Sequence, residues 1–462
     1  MNNNIEEKEN MGKVVIRGIA ISGAGTVVWK FIDALTAISL LRLLSLFEYG
    51  VYRLALAAYE FMAGFFLAGL ENVVVSDVAS YLASDRRRAQ AVFSFYIWFV
   101  ALVSAVFFLL FLFGSRFIAS WLGESEGIPH LAVVSLFFIA VPFETAYKLK
   151  FQIFLDFGWG NAYRLISSMA RIVSIALFYF FAVFGAQEAL WAGFASMLVP
   201  VLISLGYRRD PLFIIPSWAE CRSAIFDLFL RHGKWAIASD FINNFAQNIR
   251  PFLVKAFVGI EGVALIALAQ GLTAHVKSLF PLREILTPVL PRSADDPERL
   301  SRQLNRATKY ATAANFILFI VAAAGAPVFV ALVIPKYWEA LPYFYLLLLG
   351  LPVSGFRTVA VPVFYALRAQ QKLFAVTVSR TVAVVLLNAV FTYFFGLWGA
   401  ASEMLLLGIL TTPAYALAIK KALPQWKFSW KEFFSIDEYD RAVFKDIRQR
   451  VLSRLKIFKS AV

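Results

Sequence analysis

Long apolar runs separated by short polar connections cover most of the chain. Each of these runs reaches the length of about 20 residues that an α-helix needs to cross the hydrocarbon core of a membrane. The pattern therefore predicts an all-α polytopic membrane protein with twelve transmembrane helices. The predicted spans are 14–41, 49–77, 91–113, 130–155, 162–185, 187–207, 232–258, 262–289, 308–334, 339–367, 373–396 and 398–420.

The second half of the chain repeats features of the first at offsets of 209 to 213 residues. Phe184-Gly185 matches Phe395-Gly396, and the run 168–173 matches 377–382. Internal repeats are typical of secondary transporters, which hold the substrate between the repeats. We therefore expect two six-helix repeats around a central cavity. The predicted domains are an N-lobe with helices 1–6 at 1–207, a cytoplasmic amphipathic linker at 208–231, a C-lobe with helices 7–12 at 232–420 and a basic cytoplasmic tail at 421–462.

The positions of Lys and Arg predict how the chain is oriented. With the N-terminus inside, the predicted cytoplasmic segments carry 32 of these residues. The predicted outer segments carry only Arg42, Arg53, Arg116 and Lys336. This bias follows the positive-inside rule and predicts a multi-pass protein of the cell membrane with both termini in the cytoplasm.

Composition narrows the class further. Hydrophobic residues make up 60% of the chain and the mean hydropathy is +0.70, whereas soluble domains are about 45–50% apolar. The net charge of +14 reflects topology, and without a basic soluble domain we expect no nucleic-acid partner. Cys221 is the single cysteine and the three histidines lie far apart, so we expect neither a metal nor a cofactor.

Polar residues at helical spacing predict the lining of the cavity. In the seventh span Asp240, Asn243, Asn244, Gln247 and Arg250 recur every three or four residues, which places them on one helical face. Charged groups at membrane depth are costly unless they are paired or face water. The other stripes contain Lys30 and Asp33 in the first span, Glu60 in the second, and Gln270, Thr273 and Lys277 in the eighth.

Some of these charges have a simpler structural explanation. Lys30 and Asp33 are spaced to pair with each other on one helix. Arg171 and Arg380 lie nearer the ends of their spans and can extend towards the membrane surface. Both alternatives stay open from the sequence.

The connection between the first two spans carries a family resemblance. The run 41–52, LRLLSLFEYGVY, resembles a segment of polysaccharide-transporter (O-antigen flippase) proteins that reads roughly R-x-L-x-P-x-x-[FY]-G-x-Y, with Leu46 in place of the proline. The run 395–401 before the last span is similar too. Over about residues 14–420 the chain thus resembles this family of the multidrug/oligosaccharidyl-lipid/polysaccharide (MOP) exporter superfamily. The resemblance implies two six-helix bundles, alternating access, and movement of a polyprenyl-diphosphate-linked oligosaccharide from the inner to the outer leaflet.

The resemblance assigns roles to the polar residues. Arg250, Lys277 and Arg357 are expected to hold the diphosphate, because the C-lobe has the cationic surplus and Arg offers a planar fork of donors to phosphate. Lys30, Asn243, Asn244 and Gln247 are expected to line the same cavity. Asp33, Glu60 and Glu144 are the candidates for coupling to H⁺ or Na⁺, since a desolvated carboxylate can bind either ion. We expect a monomer whose partners are the lipid-linked oligosaccharide and membrane lipids.

Three other classes of membrane protein compete with this interpretation. A cation-coupled multidrug exporter of the MATE type shares the twelve-helix plan, although organic cations suit an acidic and aromatic cavity better than a basic one. A membrane enzyme acting on lipid-linked sugars would need a catalytic carboxylate or an Arg/His cluster, and none is evident. A nucleotide-driven pump would need a Gly-rich phosphate loop, which the sequence lacks. We therefore expect a transporter and not an enzyme.

Overall fold

The computed structural model describes residues 28–67, 70–82, 85–121, 128–154, 156–181, 184–206, 212–225, 234–279, 296–367, 369–435 and 441. Within these residues the regular structure is helical throughout, and no strand occurs. The predicted basic helix of the tail lies almost wholly outside the described residues. The same holds for residues 226–233 at the end of the predicted linker.

The helices follow the chain order of the predicted spans. The first half contains α1 (28–43), α2 (Leu46–Leu67), α3 (Leu70–Leu82), α4 (Arg86–Trp121), α5 (Ile128–Ile153), α6 (Phe157–Phe181), α7 (Ala186–Ser204) and the short linker helix α8 (Trp218–Ile225). The second half contains α9 (Lys234–Asn248), α10 (Arg250–Phe257), α11 (Ile260–Ser278), α12 (Pro297–Val333), a 3₁₀ helix (Pro335–Ala340), α13 (Leu341–Leu348), α14 (Gly350–Val353), α15 (Gly355–Ala366), α16 (Gln370–Ala422) and α17 (Trp430–Phe434).

The prediction of an all-α polytopic fold is confirmed. Every predicted span overlaps a helix in the described part of the chain. Among the described residues, seven helices are long and apolar enough to cross a membrane, and a pair bent by 50°, Pro335–Val353 with Gly355–Phe364, raises the number to eight. The count of twelve stays a prediction.

Two spans predicted as continuous helices are interrupted. The span 232–258 divides into α9 and α10 at Ile249, because Pro251 has no N–H to donate to the carbonyl of Gln247. The span 339–367 divides at Leu349 and again at Ser354. Gly355 starts α15 in close contact with α12, since a Cβ there would lie 2.3 Å from the Thr312 hydroxyl. Apolar length alone gave no sign of these breaks.

The last two predicted spans meet at a sharp bend inside α16. Gly396 has φ +57° and ψ −133°, a backbone conformation that residues with a Cβ rarely adopt. At Gly399 a Cβ would lie 1.8 Å from the carbonyl oxygen of Phe391. Both glycines of the run 395–401 are therefore required by the backbone of this bend.

The helices belong to two compact units. The first comprises Met1–Val276, Val321–Leu349 and Phe374–Leu407, and the second comprises Lys277–Ile320, Gly350–Leu373 and Gly408–Val462. In the first unit α5 packs against α4 and α7, and α7 packs against α6. Phe111, Phe138 and Leu190 are fully buried in this core.

Large apolar side chains also cover the outside of the helices. Phe113 is 78% exposed and Phe181 is 84% exposed. Exposed apolar surface on this scale requires an apolar solvent, so these faces fit the hydrocarbon of a bilayer. The polar residues that could form a site are therefore those turned away from these faces.

Candidate functional site

Asp33 on α1 and Tyr52 on α2 both accept hydrogen bonds from side chains of α6. Ser168 donates to a carboxylate oxygen of Asp33 at 2.7 Å. One turn along α6, Arg171 donates to the hydroxyl of Tyr52 on α2. Asp33 thus contacts α6, in addition to lying one turn from Lys30 on its own helix.

Lys30 and Arg164 share one aromatic ring. The Lys30 ammonium lies 6.0 Å from the ring centroid of Trp29, and the Arg164 guanidinium lies 5.7 Å from the same centroid. A cation within about 6 Å of an indole face is attracted by the ring quadrupole. Lys30 is half-buried, so its ammonium group is partly shielded from solvent.

The other two candidates for ion coupling, Glu144 and Glu60, differ in their surroundings. Glu144 pairs with Lys148 at 2.5 Å, one turn along α5. Glu60 is an exposed residue of α2 and lies two turns from Arg53. Each of the three carboxylates thus has a cation nearby on its own helix. Their role in ion coupling stays a prediction.

Arg250 lies in a buried ion pair. Its Nη2 donates to Oε1 of Glu403 at 3.1 Å, and Asn388 donates to the second oxygen of the same carboxylate at 3.2 Å. Glu403 is fully buried and Arg250 is 9% exposed. Arg250 Nε and Asn388 Oδ1 have no hydrogen-bond partner among the described residues. The assignment of Arg250 to a diphosphate stays a prediction, and it now requires this pair to separate.

The sequence could not identify Glu403 as the partner of Arg250. The two residues are 153 positions apart, and Glu403 was one of several acidic residues in the second half. The sequence did show that Glu403 is an acidic residue inside an apolar span. A carboxylate at such a position needs a cation or a hydrogen-bond donor. Arg380 also lies close enough to Glu403 for an electrostatic interaction.

The amide residues of α9 lie beside α2. Helix α2 packs against both α9 and α10, and a Cβ at Gly64 would lie only 2.9 Å from the Cβ of Asn244. Asn244 donates to the carbonyl of Gly64 at 3.5 Å. Asn243 is half-buried and Gln247 is exposed. The side chain of Asp240, the first member of the predicted stripe, lies outside the described residues.

Lys277 and Arg357 belong to the second compact unit, whereas Arg250 belongs to the first. Lys277 is an exposed residue in the last turn of α11. Arg357 is half-buried in the first turn of α15. Their assignment to the diphosphate stays a prediction.

A contact that the sequence did not predict joins the end of α1 to the end of α12. Arg42 donates through Nε to the carbonyl of Val333 at 2.7 Å and through Nη2 to that of Leu332 at 3.1 Å. In return, Lys336 donates to the carbonyl of Arg42 at 3.0 Å and to that of Leu44. Each cation therefore binds carbonyls at the C-terminal end of the other segment, where the helix dipole favours positive charge. We call this reciprocal contact the Arg42–Lys336 clasp.

Comparison with known families decides the classification. The model of a family described as "Polysaccharide biosynthesis protein" matches residues 39–342, which is well over half of the chain. The chain belongs to this family. No curated protein matches the sequence.

Solved structures agree on the fold. An inward-facing multidrug resistance MATE-family transporter of the MOP superfamily has a TM-score of 0.73 at 16% identity, covering 85% of this chain and 94% of the other. The lipid II flippase MurJ in an inward closed conformation gives 0.65 at 12% identity, covering 88% and 89%. A MOP-superfamily transporter from Pyrococcus furiosus gives 0.55 at 15% identity, covering 89% and 95%.

The family match confirms the family predicted from the sequence, and the solved structures show that the chain has the fold of MOP-superfamily transporters. At such low identity the structural likeness shows the fold alone. The protein is thus a multi-span membrane protein of a polysaccharide biosynthesis family with the fold of MOP-superfamily transporters.

Proposed function

We propose that the protein is a flippase, not an enzyme, that moves a polyprenyl-diphosphate-linked oligosaccharide from the inner to the outer leaflet of the cell membrane. The observation that carries this proposal is the match to a polysaccharide biosynthesis family over residues 39–342. One structure with the same fold is described as a lipid II flippase. The cationic surplus of the second half favours an anionic headgroup over an organic cation.

The polar residues have separate roles in this proposal. Arg250, Lys277 and Arg357 hold the diphosphate, while Lys30, Asn243, Asn244 and Gln247 line the cavity. The oxygens of Asp33, Glu60 or Glu144 bind H⁺ or Na⁺ when transport works against a gradient. The protein acts as a monomer with both termini in the cytoplasm.

Alternating access needs one end of the cavity to close while the other is open. In the proposed orientation the Arg42–Lys336 clasp lies at the outer end. Its four hydrogen bonds join segments 290 residues apart in the sequence, and none of them involves a carboxylate. The clasp therefore supports an outer gate that can open without leaving an unpaired acid.

The direct test is a flipping assay in liposomes. Purified protein is reconstituted with a fluorescent polyprenyl-diphosphate oligosaccharide, and a membrane-impermeant quencher measures how fast the label changes leaflets. We expect the protein to accelerate this exchange and the Arg357→Ala variant to slow it. Efflux of an organic cation from the same liposomes tests the MATE-type alternative. Cation efflux without acceleration of the labelled lipid would overturn the flippase proposal.

A further inference from the structure

The linker segment 212–217, which leads into α8, exposes large apolar side chains. The run 211–219 contains no charged residue. Leu212 is 1% exposed and packs in a buried core, whereas Ile215 is 83% exposed and Trp218 is 82% exposed. The segment thus has a buried side and an exposed apolar side. An exposed apolar surface marks a site where a membrane or another protein binds.

Two contacts fix how far this part of the linker reaches along α4. At one end, Arg87 pairs with Glu220 at 2.7 Å. At the other end, the ring of Phe213 lies 5.7 Å from that of Trp98. The step from Arg87 to Trp98 corresponds to about 16 Å along the axis of an α-helix. The linker therefore follows α4 over this length, from its first turn into its apolar part.

The arginines 86–88 at the start of α4 set the depth of this segment in the bilayer. They belong with water and lipid headgroups, because a charged group in hydrocarbon is costly. The headgroup region is about 5–7 Å thick on each side of the hydrocarbon core. Trp98 lies about 16 Å farther along the helix, so this residue and Phe213 beside it reach the depth of the acyl chains. Ile215 and Trp218 follow between that depth and the arginines.

The lipid-facing surface of α4 continues onto the linker. Exposed apolar side chains follow one face of α4 at intervals of three or four residues, at Trp98, Leu102, Val106, Leu109 and Phe113. The preceding positions of the same face are Ala91 and Ser94, and both are buried. The linker covers α4 at this level, since Ser94 hydrogen-bonds to it and α8 packs against α4. The outward side chains of the linker therefore extend the surface that faces the hydrocarbon.

Hydrogen bonds to Ser94 make this depth compatible with a non-helical backbone. Polar backbone groups without a partner are costly in hydrocarbon. The Ser94 hydroxyl accepts from the N–H of Ile214 at 2.8 Å and donates to the carbonyl of Leu212 at 3.3 Å. Towards the surface, the N–H of Ser217 donates to Glu220 at 2.7 Å. Backbone groups at both ends of the segment are thus paired within the protein.

We propose that residues 213–218 are an interfacial anchor that inserts into the bilayer leaflet beside the arginines of α4, which is the inner leaflet in the proposed orientation. Phe213 and Ile215 lie among the acyl chains and Trp218 lies at the headgroups, where a ring with an apolar body and a polar N–H is favoured. The exposed side of the segment is therefore covered by bilayer lipid. The sequence predicted that the whole linker, 208–231, is cytoplasmic. The anchor holds the first compact unit in the leaflet whatever substrate the protein moves.

Spin labels on single cysteines test the depth of the segment. Ile215→Cys, Trp218→Cys and Ser223→Cys are each made in a Cys221→Ser background and reconstituted in liposomes of phosphatidylethanolamine and phosphatidylglycerol. The measurement is how often each label collides with oxygen, which concentrates in hydrocarbon, and with a water-soluble nickel complex. Ser223 is the matched control, because it is exposed like Ile215 but lies about 140° around α8 from Trp218. Collisions with the nickel complex should be at least about tenfold rarer at 215 than at 223, with an intermediate rate at 218, because hydrocarbon excludes the polar complex.

The liposomes contain no second protein, so only the bilayer can shield position 215 in this experiment. If the nickel complex reaches positions 215 and 223 equally often, the proposal is overturned. The exposed side of the segment would then belong to a protein partner.

A charged variant gives a second test. Ile215→Asp places a carboxylate where the proposal puts acyl chains, so it should expel the segment and raise severalfold the collisions of the nickel complex with a label at 218. Ser223→Asp adds the same charge on the water side and should leave these collisions unchanged. An unchanged rate in Ile215→Asp would also overturn the proposal. Neither test requires transport, so a failure of the flippase proposal and a failure of the anchor are observed separately.

Discussion

The ion pair between Arg250 and Glu403 gives the sharpest prediction about stability. Replacing Arg250 by Met keeps much of the side-chain volume but removes the cation beside a carboxylate that is fully buried. Asn388 would remain as the single hydrogen-bond donor that the structure shows for this carboxylate. Arg380 is the remaining cation close enough to interact with Glu403. The variant must therefore either keep the charge of Glu403 with one of these two cations lost or protonate the carboxyl group, and both cost free energy.

The size of the effect follows from the burial of the pair. Removing one partner of a buried ion pair costs about 3–5 kcal/mol, whereas replacing both partners by neutral groups is often tolerated. We therefore expect Arg250→Met to lower the free energy of unfolding by about 3–5 kcal/mol. The double variant Arg250→Met/Glu403→Gln should recover at least about 2 kcal/mol, because the Gln oxygen still accepts from Asn388 without carrying a charge.

Reversible unfolding in mixed detergent micelles, followed through the 11 tryptophans, measures these differences. The matched control is Arg302→Met. Arg302 faces Glu298 at 3.9 Å, and both side chains are largely exposed, so this loss should stay within about 1 kcal/mol. The reasoning is refuted if Arg250→Met is as stable as the control variant, or if the double variant is no more stable than Arg250→Met alone.

Four further predictions concern the gate, coupling, topology and linker. Lys336→Met removes two charge-assisted hydrogen bonds, each worth about 1.5–3 kcal/mol. The test introduces Leu44→Cys in a Cys221→Ser background and measures how fast an impermeant maleimide labels this thiol. Lys336→Met should raise the labelling rate about tenfold or more, whereas the control Arg116→Met should not. Asp33→Asn and Glu60→Gln should each abolish the response of flipping to imposed proton or sodium gradients, and an unchanged response in both variants would end the coupling assignment. Thiols introduced at Glu9, Ser125 and Ser435 should react from outside only at position 125, and reaction at either of the others would contradict cytoplasmic termini. The hydrogen bond from Arg87 at 2.7 Å, with further donors from Ser217, lowers the pKa of Glu220 to about 2. The stabilisation from Glu220 is therefore fully present above its ordinary pKa of 4.5 and is lost as the pH falls through about 2. The backbone amides of residues 212–217 should accordingly exchange hydrogen faster in Glu220→Gln than in the wild type. The ratio of the two exchange rates should stay constant between about pH 5 and 8. A ratio that changes across this range would contradict the pairing.

The sequence by itself determined the class of the fold and the family. Apolar runs of membrane length define helices because every backbone polar group in lipid must be satisfied within its own segment. This local requirement can be read from residue types without knowing any neighbour. The run 41–52 likewise indicated the family, because its glycine and aromatic residues follow one another in the chain. The predicted break between the spans 373–396 and 398–420 is a third example, because Gly396 permits the positive φ of a sharp bend.

The tertiary structure decided which polar groups meet. Arg250 and Glu403 are 153 residues apart, and Arg42 and Lys336 are almost twice as far apart. The sequence indicated how deep in the membrane, or on which side of it, each of these four charges lies. The pattern of residues along one helix does not determine which other helix that face will contact. Lys150 and Phe213 show the same limit. They line one apolar groove, which exists only when α4, α5 and the linker pack together. Helix formation is a local property of the chain, whereas pairing of charges and shaping of grooves depend on packing between distant segments.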